Sequence, residues 1–105
     1  MKTFPLDALG LQQMASGHVC LNLSTKVGWE DFPAFAEDIL EECKGTVIEK
    51  ADAVDIRMWR VKIEESEVRL VFDDYPAMVS MESSDDAGDL TLKHLSKILS
   101  PSLRR

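Results

Sequence analysis

Residues 46–82 restrict the possible fold more than any other part of this sequence, because they consist of short β-type segments separated by short polar breaks. The segments are 46–50, 54–64, 68–72 and 77–82, and the last two alternate apolar with other side chains, the period of a half-buried strand. Connections this short join antiparallel neighbours, whereas parallel strands need a long crossover. The stretch therefore predicts an antiparallel meander.

Two irregularities in this region predict a β-bulge and an edge strand. The apolar residues of segment 54–64 occupy even positions up to Met58 and odd positions from Trp59 onward. A β-bulge at Met58 and Trp59 would bring both sets to one face of the sheet. Pro76 has no backbone N–H to give to a strand ladder, so the strand that begins there is predicted to lie at an exposed edge.

The residues before the meander predict one strand and one helix. Alternation marks 18–25 as a strand, and apolar residues spaced by three and four mark a helix after Trp29. We expect Asp31 to cap this helix, Pro33 to lie in its first turn and Gly45 to close it in a left-handed conformation.

A second helix is predicted near the end of the chain. Leu92, Leu95 and Leu99 share one face, with acidic residues near the start and Lys93 and Lys97 nearer the end, as the helix dipole favours. The predicted order is β-α-β-β-β-β-α. It indicates an α+β fold, a two-layer sandwich with a mainly antiparallel sheet and both helices on one face. The first strand could pair in parallel with the second through a right-handed crossover.

The length predicts a single domain over residues 1–105, with a weakly patterned N-terminal segment, 1–17, and a basic tail, 101–105. Two cysteines, Cys20 and Cys43, are too few for a disulfide framework. No secretory signal and no apolar run of the roughly 20 residues that span a bilayer are apparent. These observations favour a cytoplasmic protein.

The charge is acidic and unevenly distributed. The net charge is −7, yet residues 28–89 alone carry eighteen acids and six bases, and residues 90–105 carry four bases and no acid. Such a chain repels a phosphate backbone and an anionic membrane surface, which argues against nucleic-acid and membrane partners. A protein partner or self-association fits this charge, as does a surface that only keeps the protein in solution.

The densest cluster of candidate site residues is acidic. Asp73, Asp74 and Tyr75 lie at the break before Pro76, and Asp85 and Asp86 precede the last helix. Paired carboxylates can bind a hard cation or divide acid and base roles, although the spacing matches no calcium loop. Turn formation and helix capping explain the same residues without any site. The five residues are therefore a candidate binding surface, with a turn plus a helix cap as the open alternative, and no catalytic, cofactor-binding or metal-ligating residue is predicted.

Four further side chains are possible zinc ligands: His18, Cys20, Cys43 and His94. Structural zinc sites show close ligand pairs at both ends of the motif, and only one close pair is present here. The spacing therefore disfavours zinc. No phosphate-binding glycine loop and no nucleophile-elbow motif occurs either, and no cofactor is predicted.

Three short motifs carry a resemblance to a known family. They are residues 29–37, with the pattern Trp-x-Asp-Phe-Pro-Ala-Phe-Ala-Glu, residues 59–61, Trp-Arg-Val, and residues 73–75, Asp-Asp-Tyr. They resemble a family of small, uncharacterised gammaproteobacterial proteins, a domain of unknown function, over about residues 18–99. The resemblance implies a small cytoplasmic bacterial α+β protein and no established activity.

Two functions from different classes remain. The first is a non-enzymatic, acidic protein-binding module of the bacterial cytoplasm, which would use its exposed sheet edge and helix surface. The alternative is a small metal-dependent or acid/base hydrolase built on Asp73, Asp74, Asp85 and Asp86. It requires these carboxylates to converge in one pocket. The sequence favours the module over the enzyme.

Overall fold

Eight elements follow one another in the order β-β-α-β-β-β-β-α in the computed structural model, which describes residues 6–74 and 77–99. They are β1 (Gly10–Gln13), β2 (Val19–Ser24), α1 (Phe32–Cys43), β3 (Thr46–Asp52), β4 (Ile56–Ile63), β5 (Ser66–Asp74), β6 (Ala77–Glu82) and α2 (Asp86–Leu99). The strands form one antiparallel sheet in the order β1-β2-β6-β5-β4-β3. The predicted α+β sandwich is confirmed.

The core lies between one face of the sheet and the two helices. The sheet residues that are buried on this face are Leu21, Leu23, Trp59, Val61, Ile63, Val68, Leu70, Phe72, Val79 and Met81. From α1, Phe32 places its ring 5.4 Å from that of Trp59 and 6.0 Å from that of Phe72, measured between centroids. Aromatic contacts at these distances add to the burial of apolar area, so Phe32 joins α1 to the two strands below it.

The opposite face of the sheet carries ion pairs. Arg60 lies 3.6 Å from Glu49 and 3.1 Å from Glu67, and Arg69 lies 3.3 Å from Glu82. Exposed pairs of this kind contribute at most about 1 kcal/mol each. This face is therefore a solvated surface with cross-strand charge pairs.

The helix α1 begins and ends near the predicted residues, but both of its caps differ from the prediction in detail. Asp31 is the N-cap residue without a side-chain hydrogen bond, and Pro33 lies in the first turn as predicted. The left-handed residue is Lys44, with φ of 59°, and not Gly45. Gly45 follows it and donates its N–H to the oxygen of Leu40 at 2.8 Å. The cap is therefore shifted by one residue from the prediction.

The helix α2 has the charge distribution that the sequence indicates. The Asp85 side chain accepts a hydrogen bond from the N–H of Gly88 at 2.7 Å, Asp86 and Asp89 lie in the first turn, and Lys97 lies in the last. Acids at the start and a base at the end both interact favourably with the helix dipole. Within the described residues, neither helix combines the length and apolar character that crossing a bilayer requires.

The predicted strand neighbours are wrong at two places. β2 does not pair in parallel with β3, since it lies between β1 and β6 and is antiparallel to both. β6 is therefore an interior strand and not an edge, and the outer strands are β1 and β3. Pro76, which suggested the edge, lies outside the described residues.

The predicted bulge at Met58 and Trp59 is also wrong. The pairing of β4 with β5 runs without interruption through Trp59 and Leu70, so Met58 simply faces the opposite side of the sheet. Register shifts occur instead in β2 and in β3, in the latter between Val47 and Glu49. β4 carries apolar residues on both faces of the sheet, and in the sequence this pattern is indistinguishable from a β-bulge.

The weakly patterned segment 1–17 contains β1, which the sequence did not predict. Just before it, Asp7 accepts hydrogen bonds from the Ser24 hydroxyl at 2.9 Å, the Thr25 N–H at 2.9 Å and the Thr25 hydroxyl. The hydrogen bond from the Thr25 hydroxyl, with smaller effects of the Thr25 N–H and the Ser24 hydroxyl, lowers the pKa of Asp7 to about 2. These hydrogen bonds attach the N-terminal segment to the end of β2. The basic tail 101–105 lies outside the described residues.

Candidate functional site

The predicted acidic cluster is divided between the two ends of β6. Asp73 and Asp74 end β5, where they pair with Met78 and Ala77 at the start of β6. Asp85 and Asp86 follow the far end of that strand, about 16 Å away at the usual rise per residue. Tyr75 lies outside the described residues. The four carboxylates do not share a pocket, which removes the geometry that the hydrolase alternative requires.

A different cluster forms where β2 begins beside the first turn of α2. The Nδ1 atom of His18 lies 2.9 Å from Oδ2 of Asp89, and the other carboxylate oxygen, Oδ1, accepts the N–H of Val19 at 3.1 Å. Asp86 lies beside this pair, and one ligand atom from each of His18, Asp86 and Asp89 falls within 4.8 Å of the others. His18 and Asp89 are 71 residues apart in sequence, so no local pattern indicates their contact.

The loop between β6 and α2 positions this cluster. The N–H of Ser83 donates to the carbonyl oxygen of Val19 at 3.1 Å, which places the start of α2 over the start of β2. Gly88 is buried against Ser83, and a Cβ atom on it would lie 2.6 Å from the Ser83 hydroxyl oxygen. The absence of a side chain at residue 88 therefore permits the close approach that brings Asp89 to His18.

The contact shifts the ionisation of both partners. The hydrogen bond from His18, together with a smaller effect of the Val19 N–H, lowers the pKa of Asp89 to about 2. The hydrogen bond to Asp89 raises the pKa of His18 above 6.5, with further help from the negative charges of Asp89, Asp86 and Asp85. Between the lowered pKa of Asp89 and the raised pKa of His18, the favoured state is thus an ion pair.

This ion pair predicts a pH dependence of stability in the metal-free protein. The raised pKa of His18 stabilises the fold below 6.5 and ceases to do so as pH rises through the folded pKa. The lowered pKa of Asp89 stabilises it above 3.8 and ceases to do so as pH falls toward about 2. We expect His18→Gln to reduce the free energy of unfolding most between these limits, in urea titrations at successive pH values. A deficit that is equal at pH 5 and pH 9 would contradict the ion pair.

The four possible zinc ligands predicted from the sequence do not lie together in one site. His94 pairs with Glu64, well along α2 from His18, and Cys43 lies at the end of α1. Burial raises the pKa of the Cys20 thiol, and the Glu82 carboxylate raises it further, so this cysteine is a poor nucleophile. Among residues 6–74 and 77–99, the group of His18, Asp86 and Asp89 is the one that could hold a metal ion.

A second candidate surface is the edge strand β3. All seven of its residues are exposed, including Val47 and Ile48 at 39% and 45%. Its outer side has no neighbouring strand in the described sheet. Beside its first residue, a cleft of about 580 Å³ opens between the ends of the two helices. The residues that line the cleft are Glu42, Cys43, Lys44, Thr46, Lys62, Glu64, Glu65 and Ile98.

The outer surface of α1 extends this region with negative charge. Residues 29–43 contain six acids and no Lys or Arg. Glu37 with Glu41 and Asp38 with Glu42 form like-charge pairs four residues apart, each of which destabilises a helix by about 0.2–0.5 kcal/mol. Glu41 and Glu42 also lie in the last turn, where the helix dipole disfavours acids. Both placements are unfavourable for the helix itself.

The fold and these two surfaces define a small antiparallel α+β sandwich with one open seven-residue edge and a histidine–carboxylate cluster. The chain belongs to the family described as Protein of unknown function (DUF3630), whose pattern it matches over residues 9–100. This confirms the predicted membership of a family of uncharacterised domains. No curated protein and no solved structure gives a significant match.

Proposed function

We propose that this protein is a non-enzymatic binding module of the bacterial cytoplasm, which captures an extended segment of another protein along β3. The open edge of β3, a strand whose seven residues are all exposed, is the observation that carries the proposal. An extended segment gains main-chain hydrogen bonds when it adds to such an edge, and side-chain contacts on alternate residues supply specificity. β3 is thus an exposed edge strand of the sheet, the position that the sequence predicts for β6.

The charges of β3 favour a different protein over a second copy of this chain. When two copies pair antiparallel about a two-fold axis, one residue lies opposite its own copy. When the axis passes through the middle of β3 that residue is Glu49, and like charges directly opposite each other are destabilising. A heterologous strand can instead place a cation opposite Glu49 and an anion opposite Lys50.

The surroundings of β3 favour a partner that carries positive charge. Asp52 ends the strand, and the N–H of Asp74 donates to the carbonyl oxygen of Asp55 at 3.1 Å, which joins Asp73 and Asp74 to the same rim. The acidic surface of α1 lies toward the other end. The predicted contacts of Asp73 and Asp74 with a partner thus fit this region, whereas Asp85 and Asp86 lie at the opposite end of β6.

The edge can be tested with two matched lysine substitutions. Ile48→Lys introduces a charge on β3, the device by which natural edge strands avoid pairing, and Val54→Lys introduces the same charge at a turn residue that is 97% exposed. We expect Ile48→Lys to weaken the complex more than about tenfold and Val54→Lys to leave it within a few-fold of the wild type. The measurement is titration calorimetry with the partner that the full chain captures from a bacterial lysate.

Hydrogen exchange then identifies the bound surface. In the complex, the amides of residues 46–52 should gain protection, whereas those of α2 should not change. Protection elsewhere with β3 unaffected, or equal affinity of Ile48→Lys and the wild type, would overturn strand addition. A concentration-dependent dimer that Ile48→Lys dissociates would show that the occupant of the edge is a second copy.

A further inference from the structure

The cluster of His18, Asp86 and Asp89 combines a histidine that immediately precedes β2 with two carboxylates one turn apart on α2. Helix capping explains acids at a helix start, but it does not explain an imidazole brought against them from another element. Neutral imidazole together with carboxylate is a common ligand set for divalent first-row transition metals, whereas Ca²⁺ and Mg²⁺ prefer oxygen alone. The ligand types therefore indicate a particular class of ion.

The spacing of the ligand atoms agrees with this class. Bonds of about 2.0–2.1 Å to a zinc-like ion place neighbouring ligands roughly 3 Å apart. His18 Nδ1 and Asp89 Oδ2 are already separated by 2.9 Å. Asp86 keeps its ligand atom within 4.8 Å of both, on an exposed side chain that can rotate toward the ion. An ion would replace the proton that His18 and Asp89 share.

The surroundings hold the cluster in position. The N–H of Val19 donates to Oδ1 of Asp89, which fixes the carboxylate and directs Oδ2 toward His18. Hydrogen bonds of this kind to ligating groups orient metal sites in proteins. Asp85 is not part of the set, because its carboxylate accepts the N–H of Gly88 at the helix cap.

We propose that His18, Asp86 and Asp89 bind one divalent transition-metal ion such as Zn²⁺, with water completing its coordination. The site joins β2 to α2 and does not involve β3. It is therefore independent of the binding function proposed above. Since the ion bridges two elements of the folded chain and finds no such arrangement in the unfolded chain, it stabilises the fold.

The decisive variant is Asp86→Asn. It removes one ligand but leaves the contacts of Asp89 with His18 and Val19, so the fold is retained. Metal-free full-length protein is titrated with zinc chloride in a calorimeter, and the melting temperature is followed at increasing zinc. The wild type should bind one ion per chain and melt at a higher temperature, whereas Asp86→Asn should bind about tenfold more weakly or worse. Glu37→Gln, which removes an exposed carboxylate of α1, should behave as the wild type.

A paramagnetic ion locates the site independently. With Co²⁺ in place of zinc, amide resonances of residues 18–19 and 86–89 should broaden first. Saturable broadening centred on His94 and Glu64 would assign the ion to that other histidine–carboxylate pair and overturn the proposal. Absence of saturable zinc binding, or equal zinc affinity of Asp86→Asn and the wild type, would overturn it as well.

Discussion

Replacement of Phe32 by alanine is expected to lower the free energy of unfolding by about 3–5 kcal/mol, the range for loss of a buried aromatic ring. Phe32 is fully buried, and its ring contacts both Trp59 of β4 and Phe72 of β5. The substitution leaves a cavity at the point where α1 meets the sheet. Since whole domains are stable by only about 5–15 kcal/mol, this one change removes a large part of the stability.

Urea unfolding followed by circular dichroism and tryptophan fluorescence measures this effect. The control is Leu90→Ala, which removes a side chain of α2 that is 68% exposed and should change the free energy of unfolding by no more than about 0.5 kcal/mol. If Phe32→Ala were as stable as this control, Phe32 would not be the contact that attaches α1 to the sheet.

The second large effect is expected at the junction of α1 and β3. A Cβ atom on Gly45 would lie 2.7 Å from Cγ1 of Ile63, 2.9 Å from Cδ2 of Leu40 and 3.2 Å from the carbonyl oxygen of Lys62. Two of these neighbours are core side chains and the third is backbone, so none can move freely. We expect Gly45→Ala to destabilise the protein by about 1–3 kcal/mol through overpacking.

Gly28→Ala is the matched control for this prediction. A Cβ atom on Gly28 would meet nothing closer than Oδ2 of Asp31, at 3.8 Å. The free energy of unfolding of Gly28→Ala should therefore stay within about 0.5 kcal/mol of the wild type in urea titrations. Equal stability of the two alanine variants would show that the junction at Gly45 relaxes without cost. The comparison also bears on function, because this junction sets the acidic face of α1 beside the open edge of β3.

The sequence predicts the kinds of element well and their neighbours poorly. Side-chain periodicity reports which residues share a face, as in the alternation of residues 68–72, and it identified every element except β1. Periodicity carries no information on which strand lies beside which. β2 pairs with β6 across most of the chain, and nothing local distinguishes this pairing from a parallel crossover to β3. The sequence therefore predicts the wrong edge of the sheet.

In the candidate site, too, the sequence predicts the local features but not the contacts between distant residues. Asp85 and Asp86 were recognisable as acids at a helix start, because capping and the helix dipole act over one turn. The contact of His18 with Asp89 depends on the path of the loop that follows β6 and on the small size of Gly88. The sequence offers no signal for such a contact. The sequence groups His18 only with the other histidine and the cysteines, since metal-site motifs are defined by spacing along the chain.

The position of β6 between β2 and β5 also bears on how the chain is made. During synthesis β2 emerges well before β6, the strand beside which it lies, because β6 begins only at Ala77. Until then β2 has only β1 as a neighbour, and an isolated two-stranded hairpin is marginally stable in water. We therefore expect the local meander of β3, β4, β5 and β6 to form first and the hairpin of β1 and β2 to dock onto it last. The pairing of β2 with β6 is expected to limit the rate of folding. Contacts between residues far apart in sequence require loop closure, and its entropic cost precedes the energy that the contacts provide.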